Sequence, residues 1–175
     1  KGTLDIFAYS EFVFKVLADT PMATLLQWRE QFMQEMILPL IQPQAMALVQ
    51  RHMDIGHQCV LVSATNAFVI EPIARYFGFE HIIGTTPEQV NGQFTGKVAG
   101  TPSFQAGKIA RLEQWLAAQK LSWDTVKGSF FYSDSINDLP LLEHATFPVA
   151  CNPDACLREI ARARHWPILE LFATP

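Results

Sequence analysis

The chain has 175 residues, 49% of them hydrophobic, with 17 acidic against 13 basic side chains and a formal net charge of −4. That length accommodates one core domain plus a small appended one, and the acidic balance, with no basic stripe, argues against nucleic acid as a partner. No apolar run approaches the ~20 residues of a membrane span, residues 1–20 lack the layout of a signal peptide, and Cys59, Cys151 and Cys156 show no C-x-x-C spacing, which together predict a reduced, cytoplasmic protein.

Residues 1–38 carry apolar side chains at helical spacing: Leu4, Phe7, Ala8, Phe12 and Phe14, then Leu25, Trp28, Phe32 and Met36. The spacing predicts two helices with no strand between them. Thr20-Pro21 reads as the start of the second, with Thr20 as cap and the proline in the first turn. Trp28, Phe32 and Met36 are expected in the core, or else along the substrate face of this module, and Arg29, Glu30 and Glu35 on a solvated helix face. Pro39 and Pro43 interrupt the helical pattern. The expected boundary therefore separates a small helical module, residues 1–40, from a main domain, residues 41–175.

From Pro43 the pattern predicts a helix over 44–55, then a continuous apolar strand over 58–62 of the sort buried on both faces. That strand ends in Ser63-Ala64-Thr65-Asn66. A helix follows over 66–77, a strand over 81–85, and a hairpin at Asn91-Gly92. After the Thr101-Pro102 loop, an amphipathic helix over 107–119 holds Lys108 in its first turn. The strand over 129–133 then runs into Asp134-Ser135-Ile136-Asn137-Asp138 and a short helix. A strand over 147–151, a helix opened by Asn152-Pro153-Asp154 and an edge strand within 167–171 complete the chain. This alternation predicts an α/β fold: a three-layer, Rossmann-like, mostly parallel sheet with helices on both faces, plus the small α-helical cap.

Asp134, Asn137 and Asp138 follow an aromatic strand, where ligands of open α/β sheets gather, and supply hard oxygen ligands suited to Mg²⁺. They read equally as a turn residue and the cap of the next helix. Ser63 alone is a turn residue. Lys108 alone is a solvated side chain set against the helix dipole; as a site residue, its removal is expected to cost turnover at least about a hundredfold while leaving stability level or slightly higher. Taken together, a hydroxyl, a cation and metal-binding carboxylates are what a dianionic phosphoryl group needs around it. His52, His57, His81, His144 and His165 show no zinc-site spacing.

In VLVSATNAF, FQAGK and DSIND, over nearly its whole length, the sequence resembles the haloacid dehalogenase-like hydrolase superfamily, in its phosphoserine-phosphatase-like branch with a helical cap. The resemblance implies that Asp134 binds Mg²⁺ directly with support from Asp138. It also implies that Ser63 and the backbone N–H of Ala64 hold phosphate oxygens, and that Lys108 and Asn137 stand beside them. Lys108 and Asp138 then serve the chemistry. The implied activity is Mg²⁺-dependent hydrolysis of a small phosphorylated metabolite through an aspartyl-phosphate.

One motif of that family, D-x-D-x-T on the first strand, is absent. The seven aspartates are Asp5, Asp19, Asp54, Asp124, Asp134, Asp138 and Asp154, and no two are separated by one residue. The nucleophile is therefore expected upstream of Lys1, on a strand lying between strands 58–62 and 129–133. Residues 1–40 then form a partial cap and residues 41–175 a core without its first strand, expected to be inactive and insoluble or molten alone. Two other readings stand beside this one. A metal-free dehalogenase is opposed by the intact Asp134, Asn137 and Asp138, and a non-catalytic phosphate- or metal-binding scaffold would have lost the first motif.

Overall fold

The computed structural model describes residues 5–172, which form two compact units divided between Phe104 and Gln105. Leu4 lies outside the described residues. In the first unit, α1 (Ile6–Ala18) begins at Asp5, whose Oδ1 accepts the N–H of Phe7 at 3.0 Å and of Ala8 at 3.1 Å. Asp5 is thus a helix cap rather than a helical residue, and its carboxylate is occupied. Helix α2 (Met22–Phe32) continues through a π turn (Met33–Ile37) and a 3₁₀ turn (Leu38–Leu40) into α3 (Pro43–Asp54).

Two expectations about this region are corrected. Thr20 does not cap α2: its hydroxyl donates to the Val16 carbonyl at 2.7 Å, so it belongs to the end of α1, and Pro21 holds the cap position without a side-chain bond. Nor do Trp28, Phe32 and Met36 enter the core, being 50%, 40% and 55% exposed. The inward stripe is Leu25 and Met33, eight residues apart with Arg29 midway, because that i, i+4, i+8 row is the one turned to its neighbours.

Strand β1 (Val60–Asn66) leads into α4 (Ala67–Tyr76) and β2 (His81–Thr85), and β3 (Pro87–Val90) and β4 (Gln93–Val98) form the hairpin. Val60 to Val62 pair in parallel with His81 to Ile83; the register then shifts, and Asn66 meets Thr85. The strand therefore runs four residues past the end of its apolar pattern. Phe14, Leu17, Leu25 and Phe94 make one core, with Met22, Phe68 and Val98 packed against it. The helices of residues 1–40 thus share their apolar interior with the hairpin.

The second unit runs α5 (Ala106–Ala118), β5 (Phe130–Ser133), a 3₁₀ turn (Ile136–Asp138), α6 (Leu139–His144), β6 (Phe147–Cys151), α7 (Ala155–Ala163) and β7 (Ile168–Leu169). Its sheet has the order β5-β6-β7 and is parallel throughout, which requires helical crossovers and places helices over the strands. Leu142, Ala150, Leu157 and Ala161 form its core, flanked by Phe131, Ile136, Trp166 and Ile168. The architecture is the expected α/β class of parallel strands and helices.

Candidate active site

At the carboxyl end of β5 the chain turns sharply, and two side chains from separate elements meet there. Lys108, in the first turn of α5, is only 6% exposed, and its Nζ lies 2.5 Å from Asp138 Oδ1. The hydroxyl of Ser133, the last residue of β5, donates to Asp138 Oδ2 at 2.7 Å and accepts the Ser135 N–H at 3.2 Å. Asp138 occupies the cap position of α6 but makes no capping bond with its side chain. The reading of Asp138 as a simple helix cap is therefore set aside. So is the reading of Lys108 as a solvated surface cation whose loss spares stability: a buried ammonium is tolerated because a carboxylate pairs with it, and breaking such a pair strands the other charge.

Asp134 stands one residue beyond β5 and is exposed. Its carbonyl accepts the Asp154 N–H at 2.7 Å, while its carboxylate makes no hydrogen bond or ion pair among the described residues. Asp154 also fixes the other end of the loop. Its Oδ2 accepts the Ile136 N–H and its Oδ1 the Leu157 N–H, both at 2.8 Å, so one carboxylate caps α7 and pins the acidic loop. Asn137 is exposed, and its N–H donates to Ser135 Oγ at 3.2 Å. On β6, burial pushes the Cys151 thiol up, with the charges of Asp134 and Glu170 adding to it, which keeps it a neutral thiol rather than a nucleophile.

Ser63 and Ala64 belong to the first unit, within the second half of β1. Ser63 Oγ accepts the Thr65 N–H at 3.1 Å, leaving the hydroxyl hydrogen free to donate elsewhere. The Ala64 carbonyl accepts from Thr85 Oγ1 at 2.9 Å, and Thr85 Oγ1 accepts the Ser103 N–H at 3.1 Å. Asn66 caps α4 by accepting the Phe68 N–H at 2.9 Å. The structure thus joins Lys108 to Asp138, with Asp134 and Asn137 on the same loop, and holds Ser63 and Ala64 on strand β1. Sequence reasoning missed Ser133, Thr85 and Asp154 as supports. The available signal was a hydroxyl closing an otherwise apolar strand in both Ser133 and Thr85.

For a metal, the donor set on the loop is one exposed, unpaired carboxylate, Asp134, since both oxygens of Asp138 are engaged by Lys108 and Ser133. Among the described residues no three His, Cys, Asp or Glu side chains cluster. That fits Mg²⁺, which takes one or two carboxylates and keeps several waters, and does not fit a closed cage.

The sequence model of the haloacid dehalogenase-like hydrolase family matches residues 4–143. The chain belongs to that family. It is similar to a histidinol-phosphatase from Neisseria meningitidis serogroup C (strain 8013), 43% identical over 169 residues, which are 96% of this chain and 76% of that protein. Phosphoserine phosphatase SerB1 from Mycobacterium tuberculosis (strain ATCC 25618 / H37Rv) is 36% identical over 146 residues, 83% of this chain but 46% of that protein. The chain therefore spans about half the length of this second relative. Among solved structures, a protein with unknown function from Bordetella pertussis Tohama I superposes with a TM-score of 0.95 at 47% identity, covering 98% of this chain and 77% of that one. A substrate-bound phosphoserine phosphatase shares the fold, with a TM-score of 0.64 at 17% identity over 95% of this chain and 73% of that one.

Proposed function

We propose that the protein is a Mg²⁺-dependent phosphomonoester hydrolase acting on a small phosphorylated metabolite through an aspartyl-phosphate. The observation that carries this is the buried Lys108–Asp138 pair at the carboxyl end of a parallel strand, beside the exposed carboxylate of Asp134. An ammonium has three donors and Asp138 takes one, so Lys108 keeps donors for a phosphoryl oxygen in a poorly solvated place where its charge acts strongly. Asp138 holds that lysine and supports the metal site indirectly. Asp134 is the direct metal ligand, and Mg²⁺ when bound supplies Lewis-acid neutralisation of the phosphoryl oxygens. In the same reading the Ser63 hydroxyl and Ala64 N–H hold phosphate oxygens, joined by Asn137. The attacking carboxylate comes from outside residues 1–175, because none of the seven aspartates stands in a D-x-D pair.

For the substrate we take the chemistry shared by the names of the two relatives, a phosphorylated primary alcohol next to an amine-bearing carbon. Three free cysteines and no helix long and apolar enough to cross a membrane among the described residues fit a cytoplasmic enzyme. The test uses the full-length protein with histidinol phosphate, phosphoserine and an aryl phosphate, with Mg²⁺ or a chelator. Asp134→Asn keeps the size and removes the charge, so calorimetry should show Mg²⁺ affinity lost and turnover abolished with the melting temperature unchanged. Equal Mg²⁺ affinity in both forms would sink the metal assignment. Phosphate binding without hydrolysis of any of the three esters would favour the non-catalytic reading.

A further inference from the structure

Helix α4 contains a proline in its second turn, and the consequence lies one turn upstream. In an α-helix the amide at position 72 would donate to the Phe68 carbonyl; Pro72 has no N–H, so that carbonyl loses its helical partner. The bond is instead supplied from α2. Arg29 Nη1 lies 3.0 Å from the Phe68 carbonyl and 3.1 Å from Glu71 Oε2, and its guanidinium sits 4.4 Å over the Phe68 ring. That ring meets Phe94 edge-on at 5.3 Å, and the Phe68 N–H is taken by Asn66. Every polar group and the ring of Phe68 are therefore held, in the first turn after Ser63–Asn66.

We infer that Arg29 is a positioning residue for the phosphate-binding segment at the end of β1: it gives the Phe68 carbonyl the hydrogen bond that Pro72 withholds, and so fixes the start of α4 and, through it, Ser63–Asn66. The inference rests on the proposed phosphate role of Ser63 and Ala64. With its guanidinium spent on Phe68 and Glu71, Arg29 serves every phosphomonoester alike and does not choose among substrates.

Four full-length proteins decide it: wild type, Arg29→Met, Pro72→Ala and the double variant, each measured by thermal unfolding and by calorimetric titration with inorganic phosphate. Arg29→Met should lower the melting temperature by about 2–4 °C and weaken phosphate binding about tenfold, the scale of one lost part-buried hydrogen bond. In the Pro72→Ala background, where the helix supplies its own donor, the same change should cost less than half as much on both readouts. Equal losses in the two backgrounds overturn the inference, since Arg29 then acts through Glu71 or the ring. Coupling in unfolding with phosphate affinity untouched also overturns it, leaving a structural strut. Wild-type protein that binds no phosphate, with unfolding still coupled, instead removes the phosphate reading of Ser63 and Ala64.

Discussion

Lys108 and Asp138 form the pair on which the site turns, and their burial makes opposite demands on stability and chemistry. Removing one partner leaves the other charge desolvated, so Lys108→Met should cost about 3–5 kcal/mol in chemical denaturation. Converting both, with Lys108→Met and Asp138→Leu, should restore most of that loss while hydrolysis stays at least about a hundredfold down, for want of the cation that stabilises the developing charge. A double variant as unstable as the single one would show that the pair is not the determinant. The chemical types at these positions were legible in the sequence, because an acidic loop after an aromatic strand and a lysine opening a helix have few other uses in combination. Their burial was not. It depends on Ser133 and Lys108, 25 residues apart in the chain, converging on one carboxylate from separate elements, and no local pattern records a convergence of that kind.

Among the elements, β2 meets the junction of β1 and α4 with no room to spare. A Cβ added at Gly84 would lie 2.9 Å from Ile70 Cδ1, 2.9 Å from the Thr65 carbonyl oxygen and 3.0 Å from Ala67 Cα. Two of those atoms are backbone, so Gly84→Ala should push β2 away from that junction and destabilise by about 1–3 kcal/mol, seen as a lower denaturant midpoint at unchanged slope. A midpoint matching the wild type would mean that the strands yield freely. Elements defined by turn chemistry were read correctly: Asn91 and Gly92 both take positive φ, 51° and 77°, as a two-residue hairpin requires. The extent of β1, set by tertiary pairing, was not. β1 continues through Ser63–Asn66 because β2 pairs with it there, although its apolar run has stopped, and the outward turn of Trp28 and Phe32 follows from what Leu25 and Met33 find to pack against.

Across the whole molecule, the order of helices and strands followed from periodicity and breakers, whereas the sheet edges followed from partners. Among the described residues the first sheet is the pair β1-β2 and the last sheet ends in β5 beside β6, so each sheet is small and closes on edge strands. Open edges invite association with other chains, and unpaired groups that become buried cost about 1–3 kcal/mol each, against roughly 5–15 kcal/mol of total stability. Residues 1–175 expressed alone should therefore unfold broadly and aggregate. A sharp, monomeric calorimetric transition would show that these edges are satisfied within the segment.

The fully buried Thr85 and Ser103 carry a last consequence, in time rather than energy. Ser103 lies outside any helix or strand, yet its amide is sealed from water and bonded to the Thr85 hydroxyl. Isotope exchange at such an amide waits for the surrounding structure to open. This loop amide should thus take up deuterium as slowly as the strand amides of β2, and Thr85→Val should release it to the pace of its loop neighbours. One position between β4 and α5 then works as a clock for how often the end of β1, bonded to Thr85 through the Ala64 carbonyl, comes apart.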